Sequence, residues 1–246
     1  MKSFKATDIG RRRQFNEDYI FSSDTGVGRL GNLYLLADGM GGHAGGQIAS
    51  KYAVEDFVGY IVGSDEPNPV AALNNAVNFV NSQIKNSSAH TIYEGMGTTL
   101  VGAVVSGTTL NVVNVGDSRL YLMSGSLRQI TKDHSWVQEM MDLGRLEKDS
   151  EIYQENKNVI TRAIGVYDSV SADLFEVELK PGDTFLLCSD GLTNLVSDAD
   201  IEKVLTSPLS LEEKCMLLID IGLEAGGMDN ISVILVDPEI SEVRAC

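Results

Sequence analysis

The stretch Leu-Tyr-Leu-Leu-Ala-Asp-Gly-Met-Gly-Gly-His-Ala-Gly-Gly, residues 33–46, joins an apolar, strand-like run to one carboxylate and then to a loop rich in glycine. Asp38 is therefore predicted to lie where a buried strand ends. Because glycine has no Cβ, this loop lets the backbone approach a bound ion or phosphate closely. An ordinary strand-to-helix connection, with Asp38 making only local turn hydrogen bonds, has the same pattern. The rest of the chain decides between the two.

Acidic side chains recur at the ends of other apolar runs, at Glu17, Asp18, Asp117, Asp190 and Asp229. Strand ends can be gathered at one rim of a sheet, where several carboxylates repel one another unless cations lie between them. The pattern therefore predicts a metal site. Because the ligands are carboxylates without a histidine or cysteine cage, Mg²⁺ or Mn²⁺ is favoured over Zn²⁺.

With these acids, the sequence resembles the metal-dependent protein serine/threonine phosphatases of type 2C (PPM), in their compact bacterial form. The resemblance runs from Asp8 to about Asp237, and Asp229-Asn230 closes the motif set. The five preceding motifs, in the family's order, are Arg13-Gln14-Phe15-Asn16-Glu17-Asp18, Asp38-Gly39-Met40-Gly41-Gly42, Gly97-Thr98-Thr99, Gly116-Asp117-Ser118-Arg119 and Ser189-Asp190-Gly191.

The resemblance implies an α+β fold, with a central β-sandwich of two antiparallel sheets flanked by helices on both sides, in four α-β-β-α layers. Residues 1–246 are expected to form a single phosphatase catalytic domain, with a flap subdomain at about 135–165. Propensity alone does not predict that the sheets stack.

The resemblance also implies roles for individual residues. Asp38 and Arg13 are expected to be central to catalysis together with Asp117, and Arg13 to bind the phosphate. The metal ligands would be Asp38 as the bridge, the Gly39 carbonyl, Asp18, Asp190 and Asp229, with Asp117 and Asp190 holding a weaker third ion. Glu17 fits either a ligand or an acceptor of metal-bound water.

The implied reaction is hydrolysis of phosphoserine and phosphothreonine in proteins by metal-activated water. Two divalent ions about 3.5–4 Å apart would activate the water and stabilise the phosphoryl oxygens. Phosphorylated proteins and a cognate bacterial-type serine/threonine kinase are the expected partners. Two alternatives stay open: a catalytically inactive regulator that binds phosphoproteins through the same groove, and a phosphatase of small molecules.

Two departures from the family pattern concern the proton donor and the substrate. Met40 stands where many eukaryotic members have a histidine proposed as general acid, and the flap segment is less basic than expected. His43 and Arg162 are placed near the substrate, but His43 is not expected to be a strong general acid. His134 is expected to make structural hydrogen bonds. The proton donor is therefore left open.

Composition restricts the class of partner and the compartment. The formal net charge of −16 argues against a nucleic-acid or anionic-membrane partner, because phosphate would be repelled on average. Three cysteines without a close pair fit a reducing compartment, and neither an apolar leader nor a membrane span is expected. A cytoplasmic monomer is expected.

Apolar spacing predicts the elements around the motifs. Two helices should follow the glycine loop, and residues 98–131 are expected to form one antiparallel meander with Asp117 at a corner. Residues 145–158 are polar with little periodicity and are expected to form a long loop. Ser197 and Ser210 are predicted helix caps.

Overall fold

The computed structural model describes residues 1–42, 44–148 and 150–240. Its strands are β1 Lys2–Asp8, β2 Asp18–Ser23, β3 Leu33–Met40, β4 Gly97–Thr98, β5 Leu100–Ser106, β6 Thr109–Val115, β7 Arg119–Ser124, β8 Ser126–Gln129, β9 Asp173–Glu178, β10 Thr184–Cys188 and β11 Ile231–Asp237. Its helices are α1 Gly45–Gly63, α2 Pro69–Ser88, α3 Trp136–Asp142, α4 Glu151–Asn156, α5 Asp190–Thr193, α6 Asp198–Thr206 and α7 Leu211–Glu224.

The strands form two antiparallel sheets. In sheet I the order is β1-β11-β10-β7-β8, and in sheet II it is β2-β3-β5-β6-β9, with β4 paired to β3. A shared core of apolar side chains from both sheets lies between them. Helices α1 and α2 pack on the outer face of sheet II, and α6 and α7 pack on that of sheet I. The four-layer α-β-β-α fold is therefore confirmed.

Strand β3 shows how one run of sequence contributes to two cores, one under the helices and one between the sheets. Its run is buried on both faces, as expected for a central strand covered by a helix layer and a second sheet. Because side chains alternate along a strand, Leu33 and Leu35 join the core under the helices, while Tyr34 and Leu36 join the core between the sheets. A continuous apolar run thus stabilises both interfaces.

Helix caps follow the sequence prediction. The Ser197 side chain accepts a hydrogen bond from the Asp200 amide, and Ser210 forms a reciprocal capping box with Glu213. Both caps begin the helices that cover sheet I. They fix where the chain turns back over the sheet after β10.

Two sequence predictions about local structure are wrong. Residues 98–131 do not form one meander, because β5 and β6 belong to sheet II while β7 and β8 belong to sheet I. The chain changes sheet at Gly116, whose φ of 107° suits glycine. The polar segment 145–158 is not a continuous loop, because Ser150 caps the short helix α4 by accepting a hydrogen bond from the Tyr153 amide.

Among the described residues, none of the helices combines the length and the apolar character that crossing a membrane requires.

Candidate active site

The acids at the ends of β2 and β3 lie opposite each other. Asp18, the first residue of β2, pairs in register with Asp38 of β3. Asp38 lies two residues after Leu36, and Asp18 two residues before Ile20, and both apolar side chains pack in the core between the sheets. Alternation along each strand therefore points both carboxylates towards the space between the sheets, at its rim.

Three further acids reach this rim from sheet I and its connections. Asp190 follows β10 as the first residue of α5, Asp229 lies two residues before β11, and Asp117 lies in the crossover between β6 and β7. Strand β10 pairs with both β7 and β11, and its Cys188 end is aligned with the start of β7. The sheet order thus brings together acids that are far apart in sequence.

The acids share a pocket of about 250 Å³. Its lining consists of Arg13, Glu17, Asp38, Gly39, Met40, Gly41, Thr99, Asp117, Asn158, Ile160, Asp190 and Asp229. Asp18 is not part of the lining, but it is only 7% exposed and its charge acts on Asp38. Of the predicted metal-site residues, the structure places all but Asp18 on the pocket wall and Asp18 directly beside it.

Burial is the largest cause that raises the pKa values of four of these acids, Asp18, Asp38, Asp117 and Asp190. The pKa of Asp38 lies well above its ordinary range because the side chain is buried and faces Asp18 and Asp190. The pKa of Asp117 is likewise raised by burial and by Asp190. For Asp18, burial outweighs two serine hydrogen bonds and raises the pKa to about 7. A cation among these groups would favour their charged forms.

When the acids are ionised, two of their buried oxygens have no hydrogen-bond donor, namely Oδ1 of Asp18 and Oδ1 of Asp190. The other oxygen of each is held by the protein. The Ser189 hydroxyl donates to Oδ2 of Asp18 at 2.8 Å, and Nδ2 of Asn194 donates to Oδ2 of Asp190 at 2.9 Å. Each carboxylate is thus oriented through one oxygen and leaves the second for a cation. All-oxygen donors of this kind suit Mg²⁺ or Mn²⁺.

The acids do not form a ready-made cage. Within residues 1–42, 44–148 and 150–240, no three His, Cys, Asp or Glu side chains converge as a metal-binding group. Ionised carboxylates repel one another, so separated positions are expected for them. The residues therefore fit a cation through donor type and unpartnered oxygens, and not through a preformed coordination geometry.

Arg13 lies at the edge of the pocket, held by two acids. Its Nη2 donates to Oδ2 of Asp229 at 2.7 Å, and its Nη1 lies 3.7 Å from Oε2 of Glu17. The side chain is 47% exposed, so the guanidinium also faces solvent. The arginine predicted to bind phosphate therefore lies beside the predicted metal ligands.

Glu17 connects the start of β2 to the glycine loop. Its carbonyl accepts a hydrogen bond from the Gly39 amide at 3.0 Å, and its amide donates to Oδ1 of Asn230 at 2.8 Å. A Cβ on Gly46 would lie 2.4 Å from Oε1 of Glu17, so the first turn of α1 needs glycine for this close approach. Glu17 lines the pocket from this position, and the choice between its two predicted roles stays open.

Arg162 and His43 are the remaining residues predicted to lie near the substrate. The Arg162 guanidinium donates to the Ser171 carbonyl at 3.0 Å and to Oδ1 of Asp173 at 2.8 Å, and Arg162 is not among the residues that line the pocket. His43 lies outside the described residues. Nδ1 of His134 accepts a hydrogen bond from the Gly116 amide, as expected of a structural histidine.

Sequence reasoning missed the neutral residues that orient the acids. Besides Ser189 and Asn194, the Thr99 hydroxyl accepts a hydrogen bond from the Asp38 amide and contacts the Ser118 hydroxyl at 2.7 Å. Thr99 and Ser118 belong to two of the family motifs, and Ser118 also follows Asp117 directly in the sequence. Asn194 lies four residues after Asp190 on a short helix and had no signal in the sequence.

Known proteins that are similar to this chain identify its family. Residues 9–217 match the family model described as protein phosphatase 2C. A serine/threonine phosphatase stp of Listeria monocytogenes is 38% identical over 250 residues, which cover 96% of this chain and 95% of the relative.

Solved structures agree as well. The Mycobacterium tuberculosis serine/threonine phosphatase PstP/Ppp superposes with a TM-score of 0.86 and 37% identity, covering 97% of this chain and 98% of that one. A catalytic domain of PstP in complex with two manganese ions gives a TM-score of 0.83 and 36% identity, covering 95% and 96% of the two chains. The chain therefore belongs to the protein phosphatase 2C family and is a protein serine/threonine phosphatase.

Proposed function

We propose that this phosphatase hydrolyses phosphoserine and phosphothreonine in proteins with a metal-activated water molecule. The observation that carries the proposal is the rim pocket, which gathers buried carboxylates with unpartnered oxygens beside an arginine. When bound, a pair of divalent ions lowers the pKa of a water between them and neutralises charge on the phosphoryl oxygens. No cysteine lines the pocket among the described residues, which agrees with water as the nucleophile.

The proposed ligands are residues that line the pocket, together with Asp18 beside it. Asp38 is the proposed bridge between two ions, with the adjacent Gly39 carbonyl as a ligand of the first. Asp18, Asp190 and Asp229 are the proposed ligands of the second. The support is that Asp38 lies in register with Asp18, and that burial and then the charges of Asp18 and Asp190 raise the pKa of Asp38.

Asp117 is the proposed ligand of a weaker third ion, shared with Asp190. These two acids interact electrostatically, and both line the pocket. Manganese is the first candidate for the two tight sites because a relative of 36% identity is described with two manganese ions. Magnesium suits the same oxygen donors.

Arg13 is proposed to bind the phosphate. Its guanidinium is anchored on Asp229 and keeps an exposed side, so it can present two N–H groups to two phosphoryl oxygens at the pocket entrance. The hydrogen bond to Asp229 fixes the direction of the guanidinium N–H groups before the substrate binds. Such positioning lowers the entropic cost of placing the phosphate over the acids.

A cognate serine/threonine kinase is part of the proposal, because a phosphatase of protein monoesters needs a kinase of the same specificity to supply its substrates. Proton donation to the leaving oxygen is assigned to neither Met40 nor His43. Met40 lines the pocket and has no proton to donate.

The test is hydrolysis of a phosphothreonine peptide by the full chain after chelation and after adding back Mn²⁺ or Mg²⁺. Activity is expected to be absent with the chelator and restored by either ion. Arg13→Lys should raise KM for the peptide more than Arg29→Lys, a control at an exposed ion pair. Full activity in excess chelator, or a phosphate trapped covalently on the enzyme, would refute the proposal.

A further inference from the structure

A second pocket, of about 300 Å³, lies next to the candidate active site. Helix α4 and its flanking residues Lys148 and Lys157 form one wall, and the segment 193–198 forms the other. Arg119 and Asp198 contribute to the lining. None of the proposed catalytic or metal-binding residues lines this pocket, so its role is separate from the hydrolytic chemistry.

The charges in this pocket are unequally compensated. The Arg119 guanidinium lies 2.7 Å from Oδ2 of Asp133 and also donates to the Tyr121 hydroxyl, which in turn donates to Oδ1 of Asp198 at 3.0 Å. Asp133 balances the charge of Arg119, so the four groups carry one formal net negative charge, which lies on Asp198 and accepts the Tyr121 hydrogen bond. They form a hydrogen-bonded floor with one formal negative charge, and the two lysines of the pocket outnumber that charge.

The two lysines of the pocket differ from Arg119. In the part of the chain that the structure describes, Lys148 and Lys157 have no carboxylate partner. Lys157 donates one Nζ–H to the Asn194 carbonyl at 3.2 Å, which is a neutral acceptor. Two ammonium groups therefore line a polar pocket in a chain whose formal net charge is −16.

Two asparagines form the wall between this pocket and the active site. Nδ2 of Asn194 donates both to Oδ2 of Asp190 and, at 3.2 Å, to Oδ1 of Asn158. Asn194 lines the lysine pocket, and Asn158 lines the carboxylate pocket. An extended peptide advances about 3.3–3.6 Å per residue, so residues close to a bound phosphoresidue can pass over this wall.

We propose that the lysine pocket is a substrate subsite that takes the carboxylate of an aspartate or glutamate near the phosphoresidue. The proposal rests on the proposed function and adds a sequence preference to it. A protein of this net charge repels acidic peptide segments on average. Two neighbouring lysines therefore favour binding of an acidic side chain at one position of the peptide, next to the lysines. Lys148 and Lys157 supply the charge, and the Asn158–Asn194 wall sets the separation from the phosphate.

The experiment measures kcat/KM on phosphothreonine peptides in which each position from four before to four after the phosphothreonine is aspartate, alanine or lysine. One position is expected to favour aspartate over alanine by about three- to tenfold, chiefly through KM, as befits a partly exposed charge pair. The preference should shrink at high salt. The rate of each variant on p-nitrophenyl phosphate, which has no flanking residues, serves as its reference.

Lys148→Met and Lys157→Met should each reduce the aspartate preference, and Lys148→Glu should convert it into a preference for lysine at the same position. Lys180→Met is the matched control, because Lys180 precedes β10 at the end of the strand away from Asp190. It should leave the preference unchanged. Lys148 is exposed, so its substitution is expected to leave the fold intact.

A wild-type enzyme with no aspartate preference at any position would overturn the proposal. So would a preference that survives Lys148→Glu, or one that requires a second phosphate and ignores carboxylates. Failure of the proposed function is distinguishable, because no peptide would then be hydrolysed in a metal-dependent way.

Discussion

Asp18→Asn is expected to stabilise the metal-free protein at neutral pH while it weakens metal binding. The pKa of Asp18 is raised to about 7 by burial, against about 3.9 in an unfolded chain. An acid with a raised pKa costs stability once the pH exceeds the unfolded value, and the full cost is reached above the folded value. A shift of about 3 units corresponds to a cost on the order of 4 kcal/mol at pH 7.5, and to less than half of that cost at pH 5.

Asparagine removes this cost and keeps an oxygen that can accept the Ser189 hydrogen bond, although its amide group needs a new acceptor. A net gain of roughly 1–3 kcal/mol at pH 7.5 follows, or about 2–12 °C in Tm for a chain of this length. Thermal unfolding of wild type and Asp18→Asn in chelator, at pH 7.5 and at pH 5, measures this difference in Tm. Asp65→Asn, at a carboxylate that is 97% exposed, is the matched control and should change Tm by less than about 2 °C.

Added Mn²⁺ should reverse the order, because a ligand that binds only the folded state stabilises it. Wild type should then be the more stable protein, and the variant should gain little. The reasoning is refuted if Asp18→Asn lowers Tm in chelator at pH 7.5, or if the difference from wild type does not shrink at pH 5.

Three other outcomes are expected. Asp38→Asn should abolish turnover at saturating metal and leave the circular dichroism spectrum unchanged. If the variant kept a tenth of wild-type activity, Asp38 would not be the bridge. Asp117→Ala should lower kcat but keep two tight metal sites in calorimetry, and loss of a tight site would refute the third-ion assignment. Gly191→Ala should lower Tm by several degrees, because its Cβ would lie 1.9 Å from the Asn230 carbonyl oxygen; an unchanged Tm would show that the two segments separate easily.

The sequence predicted the acids of the site because each stands at the end of an apolar run. A strand that is buried on both faces must end at a rim, and the glycine after Asp38 and after Asp190 lets a neighbouring backbone carbonyl approach closely there. The family resemblance then supplied which rim residues act together. Local pattern alone does not specify that β10 pairs with both β7 and β11, and that pairing is what brings Asp117, Asp190 and Asp229 together.

The errors share a physical cause. A sheet change at Gly116 and a continued hairpin both require a glycine with positive φ between two apolar runs, so the sequence does not separate them. Helix α4 was missed because it is only six residues long and has no buried face, which leaves no apolar periodicity to detect. Its Ser150 cap and its acidic first turn were the available signals.

The choice of donors around the acids explains how one pocket can serve both a cation and a phosphate. Ser189 and Asn194 orient Asp18 and Asp190 through neutral hydrogen bonds, which fix a carboxylate without compensating its charge. A lysine or arginine in those places would neutralise the acid and compete with a metal ion for it. The charged donor among these contacts, Arg13, binds Asp229 at the exposed edge of the pocket. Positive charge supplied by the protein is thus kept where a phosphate enters, and the negative charge behind it is left for cations.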